Sequence, residues 1–227
     1  MANAAELKRI TRPLLARDPR LVLVKRTIVV QPVGHFLHGF AFRVTRSGSV
    51  DPVVTLFEPL YVPRRPLSSG SMPEFYLLVD RHRYGHLFPP SDLPRFWRAE
   101  DPGVEQVLIE ELGGDRLDSL LRIDTPDRFL VWADHLGTSR KFVLFSHALA
   151  GRLSRAIGMA ECEIADWGRR RDVDPGYKAT IIRHLRRLVR IFESGQTRTN
   201  RLLRTFEEIN ARRAGVEGWW RWSPVVE

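Results

Sequence analysis

The repeat of hydrophobic residues changes near residue 103, and this change is the strongest constraint on the fold. Before it, apolar side chains alternate as they do along a β-strand: Phe36, Phe40 and Phe42 share one face, and Leu37 and Ala41 take the other. After it, apolar side chains return every three or four residues, which is the repeat of an amphipathic helix. A series of strands followed by a series of helices is typical of an α+β protein.

The first hundred residues are predicted to form an antiparallel β-meander of about four strands behind a short N-terminal helix. The helix is expected over residues 2–12, because Pro13 lacks the amide hydrogen that a helix interior needs. The segments rich in β-branched and aromatic residues that predict strands are 21–30, 36–45, 53–62 and 74–80. Short connections between these segments favour antiparallel pairing.

Residues 101–227 are predicted to form a helical bundle of about five helices that ends in a tryptophan-rich tail. The helical pattern is interrupted at Gly113 and Gly114 and then resumes. Residues 142–149 are apolar nearly all round, which indicates a buried central helix, and this helix is expected to continue to about Trp167. The sheet region, residues 1–100, and the helical region are expected to pack together as one unit.

Residues 177–192 carry the clearest amphipathic helix in the chain. At about 100° per residue its apolar residues share one face, which is expected to lie in the core, and they are Ile181, Ile182, Leu185, Leu188, Val189 and Phe192. The opposite face holds Arg183, Arg186, Arg187 and Arg190, which we call the arginine stripe. Four guanidinium groups spaced three and four residues apart repel one another, so bound anions or neighbouring carboxylates would relieve their repulsion.

The charged residues are unevenly distributed along the chain. The formal net charge is +9, and all but four of the 36 basic side chains are arginines. Residues 101–167, which we call the acidic block, hold twelve carboxylates against seven basic side chains, whereas residues 168–213 hold 13 basic and five acidic side chains. The acidic block therefore offers internal partners for the basic groups, and an external anion is the alternative.

Arginine clusters in the C-terminal helices predict contacts with nucleic-acid phosphates, because a guanidinium group pairs with a phosphate through two parallel hydrogen bonds. The predicted nucleic-acid-binding residues are Arg169, Arg170, Arg171, Arg183, Arg186, Arg187, Arg190, Arg201 and Arg204. The alternatives are pairing with the acidic block, a surface for a protein partner, and a surface for a small anion or a membrane. Nucleic acid is the leading single ligand, and a protein partner is also expected.

Four histidines offer catalysis as an alternative function. The candidates are His35, His38, His82 and His86, which lie next to or within two predicted strands. If these strands were neighbours, imidazoles gathered at the sheet edge could bind a transition metal or act as general acid and base in RNA cleavage. On an extended strand His35 and His38 point to opposite faces, so the simpler interpretation makes His38 a hydrogen-bonded core residue.

The tail contains three tryptophans in four positions, Trp219, Trp220 and Trp222. Three indole rings left in water would carry a large free-energy penalty, so they are expected to dock on the fold. The alternative is a tail that binds a partner or stacks on bases. This alternative corresponds to a protein–protein scaffold that uses the three tryptophans as its contacts.

Several chemistries are excluded by the sequence. Cys162 is the only cysteine, so neither an intrachain disulfide nor a cysteine-based zinc site can form. The chain has no Walker-type phosphate loop and no GxGxxG, GxSxG or HExxH motif, and no cofactor is predicted. No apolar span suits a membrane helix or a signal peptide, so a cytoplasmic location is expected. The leading hypothesis is a non-enzymatic binding or assembly subunit of a cytoplasmic complex.

Overall fold

The computed structural model describes residues 4–44, 50–63, 101–136 and 140–223. Its N-terminal part contains α1 (Ala4–Arg17), β1 (Leu21–Val24), β2 (Thr27–Val30), β3 (Phe36–Val44) and β4 (Val50–Pro59). The strands pair antiparallel in the order β1-β2-β3-β4. The helices that follow are α2 (Val104–Gly113), α3 (Asp115–Leu121), α4 (Pro126–Leu136), α5 (Arg140–Leu149), α6 (Leu153–Arg169), α7 (Pro175–Glu193) and α8 (Gln196–Ala214). This arrangement confirms the predicted α+β class, with an N-terminal antiparallel sheet and a C-terminal helical region.

β1 and β2 form a hairpin where a single strand was predicted over residues 21–30. Lys25 and Arg26 make a two-residue turn, so that Val24 lies opposite Thr27. Lys25 has a φ of 57°, in the left-handed region that costs a residue with a side chain about 1 kcal/mol. The single-strand prediction was wrong because this turn contains no glycine, asparagine or proline to mark it. The predicted strand over residues 74–80 lies outside the described residues.

α1 runs through Pro13 to Arg17, beyond its predicted end at residue 12. Its buried residues are Leu7, Ile10, Thr11 and Leu14, which lie on both sides of the proline. This face packs against α2 and β1, and its burial offsets the backbone hydrogen bond that proline cannot donate. The predicted end was wrong because it took account of the local effect of proline alone.

Within residues 101–136 and 140–223 the structure describes seven helices, where about five were predicted for the C-terminal region. α2 and α3 are separate helices that meet at Gly114, where the helical pattern is interrupted. The predicted continuous helix over residues 142–167 is broken between α5 and α6, where Gly151 has a φ of 76°. The Gly151 amide donates to the Ala148 carbonyl, which closes the last turn of α5. None of the described helices is long and apolar enough to cross a membrane.

The chain folds into two compact units. The first unit consists of Met1–Leu60, Arg64–Asp124 and Ala211–Arg221, so its described elements are α1, the sheet, α2, α3 and a C-terminal segment. The second unit consists of Tyr61–Pro63, Thr125–Asn210 and Trp222–Glu227, and it contains α4 to α7 and most of α8. The predicted boundary near residue 101 and the packing of the whole chain as one unit stay predictions.

In the first unit, one hydrophobic cluster joins the sheet to the C-terminal segment. Its buried members are Val29, Val33, Leu37, Leu60, Ala211 and Val216. Trp219 and Trp220 pack against this cluster. The Val33 amide donates to the Trp219 carbonyl at 3.0 Å, and the Arg221 amide donates to the Val33 carbonyl at 2.8 Å. Two of the tail tryptophans are therefore docked on the sheet by side-chain packing and by backbone hydrogen bonds.

The second unit is built around α5, whose last six residues, 144–149, are buried. Phe145 contacts Phe192 and Phe206 edge to face, with ring centroids 6.4 and 6.1 Å apart. The Tyr61 hydroxyl donates to Ser146 Oγ at 2.7 Å, because Ser146 gives its own hydrogen to the Phe142 carbonyl. α5 is thus the buried helix that its all-round apolar sequence predicts.

Candidate nucleic-acid interface

α6 and α7 pack side by side as a helical hairpin that carries the arginine stripe. Only residues 170–174 connect the two helices, and Trp167 meets Tyr177 edge to face beside this connection, with ring centroids 6.0 Å apart. Lys178 on α7 donates from Nζ to the backbone carbonyls of Gly168 and Arg170, at 2.6 and 2.9 Å. A cation is favourable at the end of α6 because the last carbonyls of a helix lack partners. Lys178 therefore ties the start of α7 to the end of α6.

The first turn of α7 is capped by Asp174. Its Oδ1 accepts a hydrogen bond from the Tyr177 backbone nitrogen at 2.7 Å. This bond satisfies one of the four amides that lack a partner at a helix start. Pro175 occupies the first helical position, where no amide hydrogen is needed. The cap and the proline fix the residue at which the helix begins.

Replacement of Asp174 by alanine is expected to lower the free energy of unfolding by about 1 kcal/mol, because the Tyr177 amide loses its acceptor. Thermal unfolding followed by circular dichroism measures this change. Asp172→Ala is the matched control, since Asp172 is exposed in the same connection and has no polar partner among the described residues. Equal losses in the two variants would show that the capping bond is not the cause.

The apolar face of α7 is half-buried, whereas the sequence pattern predicted a core face. Phe192 is the only residue of this helix that is fully buried. The other predicted members of the face are half-buried, and they are Ile181, Ile182, Leu185, Leu188 and Val189. The face lies against α6, whose own buried residues are the small side chains Ala156 and Ala160. In this hairpin, each helix covers only part of the apolar face of the other helix.

The arginine stripe lies on the exposed face of α7. Arg183, Arg186, Arg187 and Arg190 are all exposed. With a rise of about 1.5 Å per residue, the stripe extends about 10 Å along the helix. Arg183 Nη2 lies 3.5 Å from Thr180 Oγ1, which is the one hydrogen bond of these guanidinium groups within the described residues. The stripe therefore presents four closely spaced cations to solvent.

Four carboxylates of the acidic block pair with arginines outside the stripe. Arg140 bonds to Glu163 at 3.4 Å and to Asp166 at 2.8 Å. The further pairs are Arg152–Asp127, Arg9–Glu105 and Arg169–Asp166. Among the side chains that the structure describes, no carboxylate lies within ion-pairing distance of the arginine stripe. The repulsion within the stripe is therefore not relieved by any described carboxylate.

The other predicted arginines differ in their surroundings. Arg169 lies 3.8 Å from Asp166, and the guanidinium carbon of Arg170 lies 4.3 Å from the centre of the Trp167 ring. The exposed arginines without an ion-pair partner among the described residues are Arg171, Arg201 and Arg204. Arg169 and Arg170 thus have partners near the end of α6, whereas the other three are available to an external anion.

The histidine candidates lie in or beside β3, or outside the described residues. His38 is buried, and its Nε2 donates to the Ile123 carbonyl at 2.8 Å. His35 is also buried, and His82 and His86 lie outside the described residues. Within residues 4–44, 50–63, 101–136 and 140–223, no group of three histidine, cysteine or acidic side chains could hold a metal ion. The catalytic histidine cluster stays a prediction.

Burial lowers the pKa of His38 to about 4, although its hydrogen bond to Ile123 and the nearby Asp124 carboxylate act in the opposite direction. The unfolded chain therefore binds a proton between pH 6.5 and 4 that the folded protein does not bind. Stability is expected to fall as the pH falls through this window, by on the order of 3 kcal/mol in total from this residue. Urea unfolding at a series of pH values measures the loss.

His38→Gln is the control for this pH dependence, because glutamine keeps a donor for the Ile123 carbonyl and does not titrate. The variant is expected to lose less stability than the unchanged protein between pH 6.5 and 4. Parallel curves for the two proteins would contradict the protonation of His38 as a source of acid sensitivity.

Two polar residues beside the stripe were not predicted from the sequence. Thr180 lies three residues before Arg183, and this spacing alone could have placed the two side chains together on the helix surface. Lys178 has no such sequence pattern, because its acceptors belong to the preceding helix and its connection.

Comparison with known proteins identifies no relative: no protein-family model matches the chain, and no curated protein and no solved structure shows significant similarity to it.

Proposed function

We propose that this protein is a non-enzymatic binding subunit of a cytoplasmic complex and that its arginine stripe contacts nucleic-acid phosphates. The observation that carries the proposal is the exposure of four guanidinium groups that have no carboxylate partner among the described side chains. Like charges on one helix face destabilise each other until counter-charges approach. A nucleic acid supplies such counter-charges at a regular spacing.

The dimensions of the stripe suit a phosphate backbone. The stripe extends about 10 Å, and each strand of a duplex carries one phosphate per about 3.4 Å of helix axis. About three phosphates of one strand therefore fall within the length of the stripe. Arginine suits this contact because its planar fork of donors matches two phosphate oxygens at once.

Hydrogen bonds within the α6–α7 hairpin hold the helix that carries the stripe in place. Asp174 caps the first turn of α7, and Lys178 ties that turn to the end of α6. A fixed helix presents its arginines without a large loss of backbone entropy on binding. Contacts to phosphates carry no sequence information by themselves, so the proposed binding is general and sensitive to salt.

Fluorescence anisotropy with labelled single-stranded and double-stranded DNA and RNA tests this function. About three phosphate contacts predict that the logarithm of the affinity for duplex DNA falls with the logarithm of the salt concentration, with a slope of about −3. Absence of binding to all four probes at low salt would refute the proposal. Recovery of shortened RNA from the binding reaction would favour the histidine-dependent nuclease instead.

A further inference from the structure

The first unit contains an open cleft of about 350 Å³ beside the docked tail. The residues that line it are Pro19, Arg20, Gln31, Pro32, Gly218, Trp219 and Arg221. This volume lies at the lower end of the range of small-molecule sites, about 300 to 1,000 Å³. The cleft is separate in sequence from the arginine stripe, and the residues that line it include one tryptophan, two prolines and two arginines.

Hydrogen bonds fix both walls of the cleft. On one wall, the Gln31 backbone amide donates to the Arg20 carbonyl at 2.7 Å, and Gln31 Nε2 donates to the Pro19 carbonyl at 2.8 Å. The other wall, which carries Trp219 and Arg221, is tied to Val33 by the two backbone bonds described above. The lining is therefore arranged before any ligand arrives, which lowers the entropy cost of binding.

The two arginines of the cleft have different charge environments. Arg20 is paired with Asp18 through two parallel bonds, from Nε at 3.0 Å and from Nη2 at 2.7 Å. Arg221 Nη1 donates to the Gly218 and Trp220 carbonyls at 3.3 and 2.7 Å, so only neutral groups hold it. Among the described residues, Arg221 has no carboxylate partner. The cleft thus carries one net positive charge, which lies on Arg221.

We propose that this cleft binds a nucleoside monophosphate, with the base against Trp219 and Pro32 and the phosphate on Arg221. Trp219 is half-buried and is one of the residues that line the cleft. Base stacking on an aromatic ring and a guanidinium–phosphate contact are the two interactions that such a ligand needs. A proline-rich peptide would also contact an indole ring, but it would not use the uncompensated charge of Arg221.

Isothermal titration calorimetry with AMP, GMP, CMP and UMP tests the proposal on the full chain. Nucleoside monophosphates are expected to bind at least about tenfold more tightly than ribose 5-phosphate or inorganic phosphate, because only the nucleotides have a base that stacks. Trp219→Leu and Arg221→Gln are each expected to weaken nucleotide binding by about tenfold. Because Trp219 packs on the core, Arg221→Gln, which alters an exposed side chain, is the variant least expected to disturb folding.

Arg213→Gln is the matched control, since Arg213 is an exposed arginine of the same unit that does not line the cleft. This variant is expected to bind nucleotides as the unchanged protein does. A failure to bind any nucleotide, equal affinity for inorganic phosphate, or full affinity in Arg221→Gln would each overturn the proposal. Binding of a proline-rich peptide that is lost in Trp219→Leu, without nucleotide binding, would assign the cleft to peptide recognition.

The binding proposed for the cleft and the binding proposed for the arginine stripe can be refuted independently of each other. Arg183→Glu combined with Arg187→Glu is expected to leave mononucleotide affinity unchanged, because neither residue lines the cleft. Loss of mononucleotide binding in this double variant would show that the ligand occupies the stripe and would overturn the assignment to the cleft.

Discussion

The double variant Arg183→Glu, Arg187→Glu is expected to lose at least about a hundredfold in affinity for nucleic acid at low salt. Each substitution removes a charge-assisted contact worth about 1.5 to 3 kcal/mol and places a negative charge beside the phosphates. The salt slope is expected to become shallower by about 2, since two phosphate contacts are lost. Both residues are exposed on α7, so the circular dichroism spectrum should not change. Anisotropy titration against the labelled probes measures the affinity.

The control must change the net charge by the same amount at a different place. Arg12→Glu combined with Arg26→Glu does so, because both residues are exposed in the first unit and lie far in sequence from the stripe. This variant is expected to keep most of its affinity. If both double variants lost affinity equally, binding would depend on the overall positive charge of the protein and not on the stripe.

Replacement of Gly39 by alanine is expected to destabilise the first unit by about 3 kcal/mol or more. Gly39 lies in β3, opposite Val29 of β2 and Leu56 of β4. A methyl carbon at this position would lie 2.1 Å from the Ile28 carbonyl oxygen and 3.2 Å from the Val29 Cα. The atoms it meets belong to the backbone of β2, so the clash is removed only by moving one strand away from the other. Urea unfolding followed by far-ultraviolet circular dichroism measures the loss.

Gly34→Ala is the control variant for the replacement of Gly39 by alanine. A methyl carbon at Gly34 would meet no atom within 4 Å, and Gly34 is not among the residues with a positive φ. Its replacement is expected to change stability by less than about 1 kcal/mol, because no atom clashes and alanine restricts the unfolded chain, which acts in the stabilising direction. Equal stability of the two variants would contradict the close approach of β2 and β3 at Gly39.

The candidate interface was largely visible in the sequence, because positions on one helix face follow from the helical repeat. Arg183, Arg186, Arg187 and Arg190 are exposed together on α7 as their spacing predicts. The sequence could not show whether carboxylates of the acidic block neutralise them. Only the fold shows that Glu163 and Asp166 bond to Arg140, because that pairing depends on how α5 and α6 meet.

Likewise, the sequence does not distinguish the surroundings of the three tail tryptophans. Trp219 and Trp220 pack on the first unit beside Val33, whereas Trp222 belongs to the second unit. Nothing in the spacing of Gln31 or Arg20 associates them with residue 219, since the cleft joins positions nearly two hundred residues apart. A site of this kind has no local pattern to detect.

The sequence by itself determined the α+β class, the antiparallel sheet, the buried α5 and the two faces of α7. The antiparallel pairing follows from the short connections between strands. The other features follow from the repeat of apolar residues, which acts over a few neighbouring positions. Tertiary structure alone decided the hairpin turn at Lys25, the passage of α1 through Pro13 and the absence of carboxylates beside the stripe in the described part of the chain. In the first two cases, contacts with distant residues outweigh a local preference of about 1 to 3 kcal/mol. In the third case, the packing of the helices decides which charged side chains come within pairing distance. The order of these side chains along the chain does not decide it.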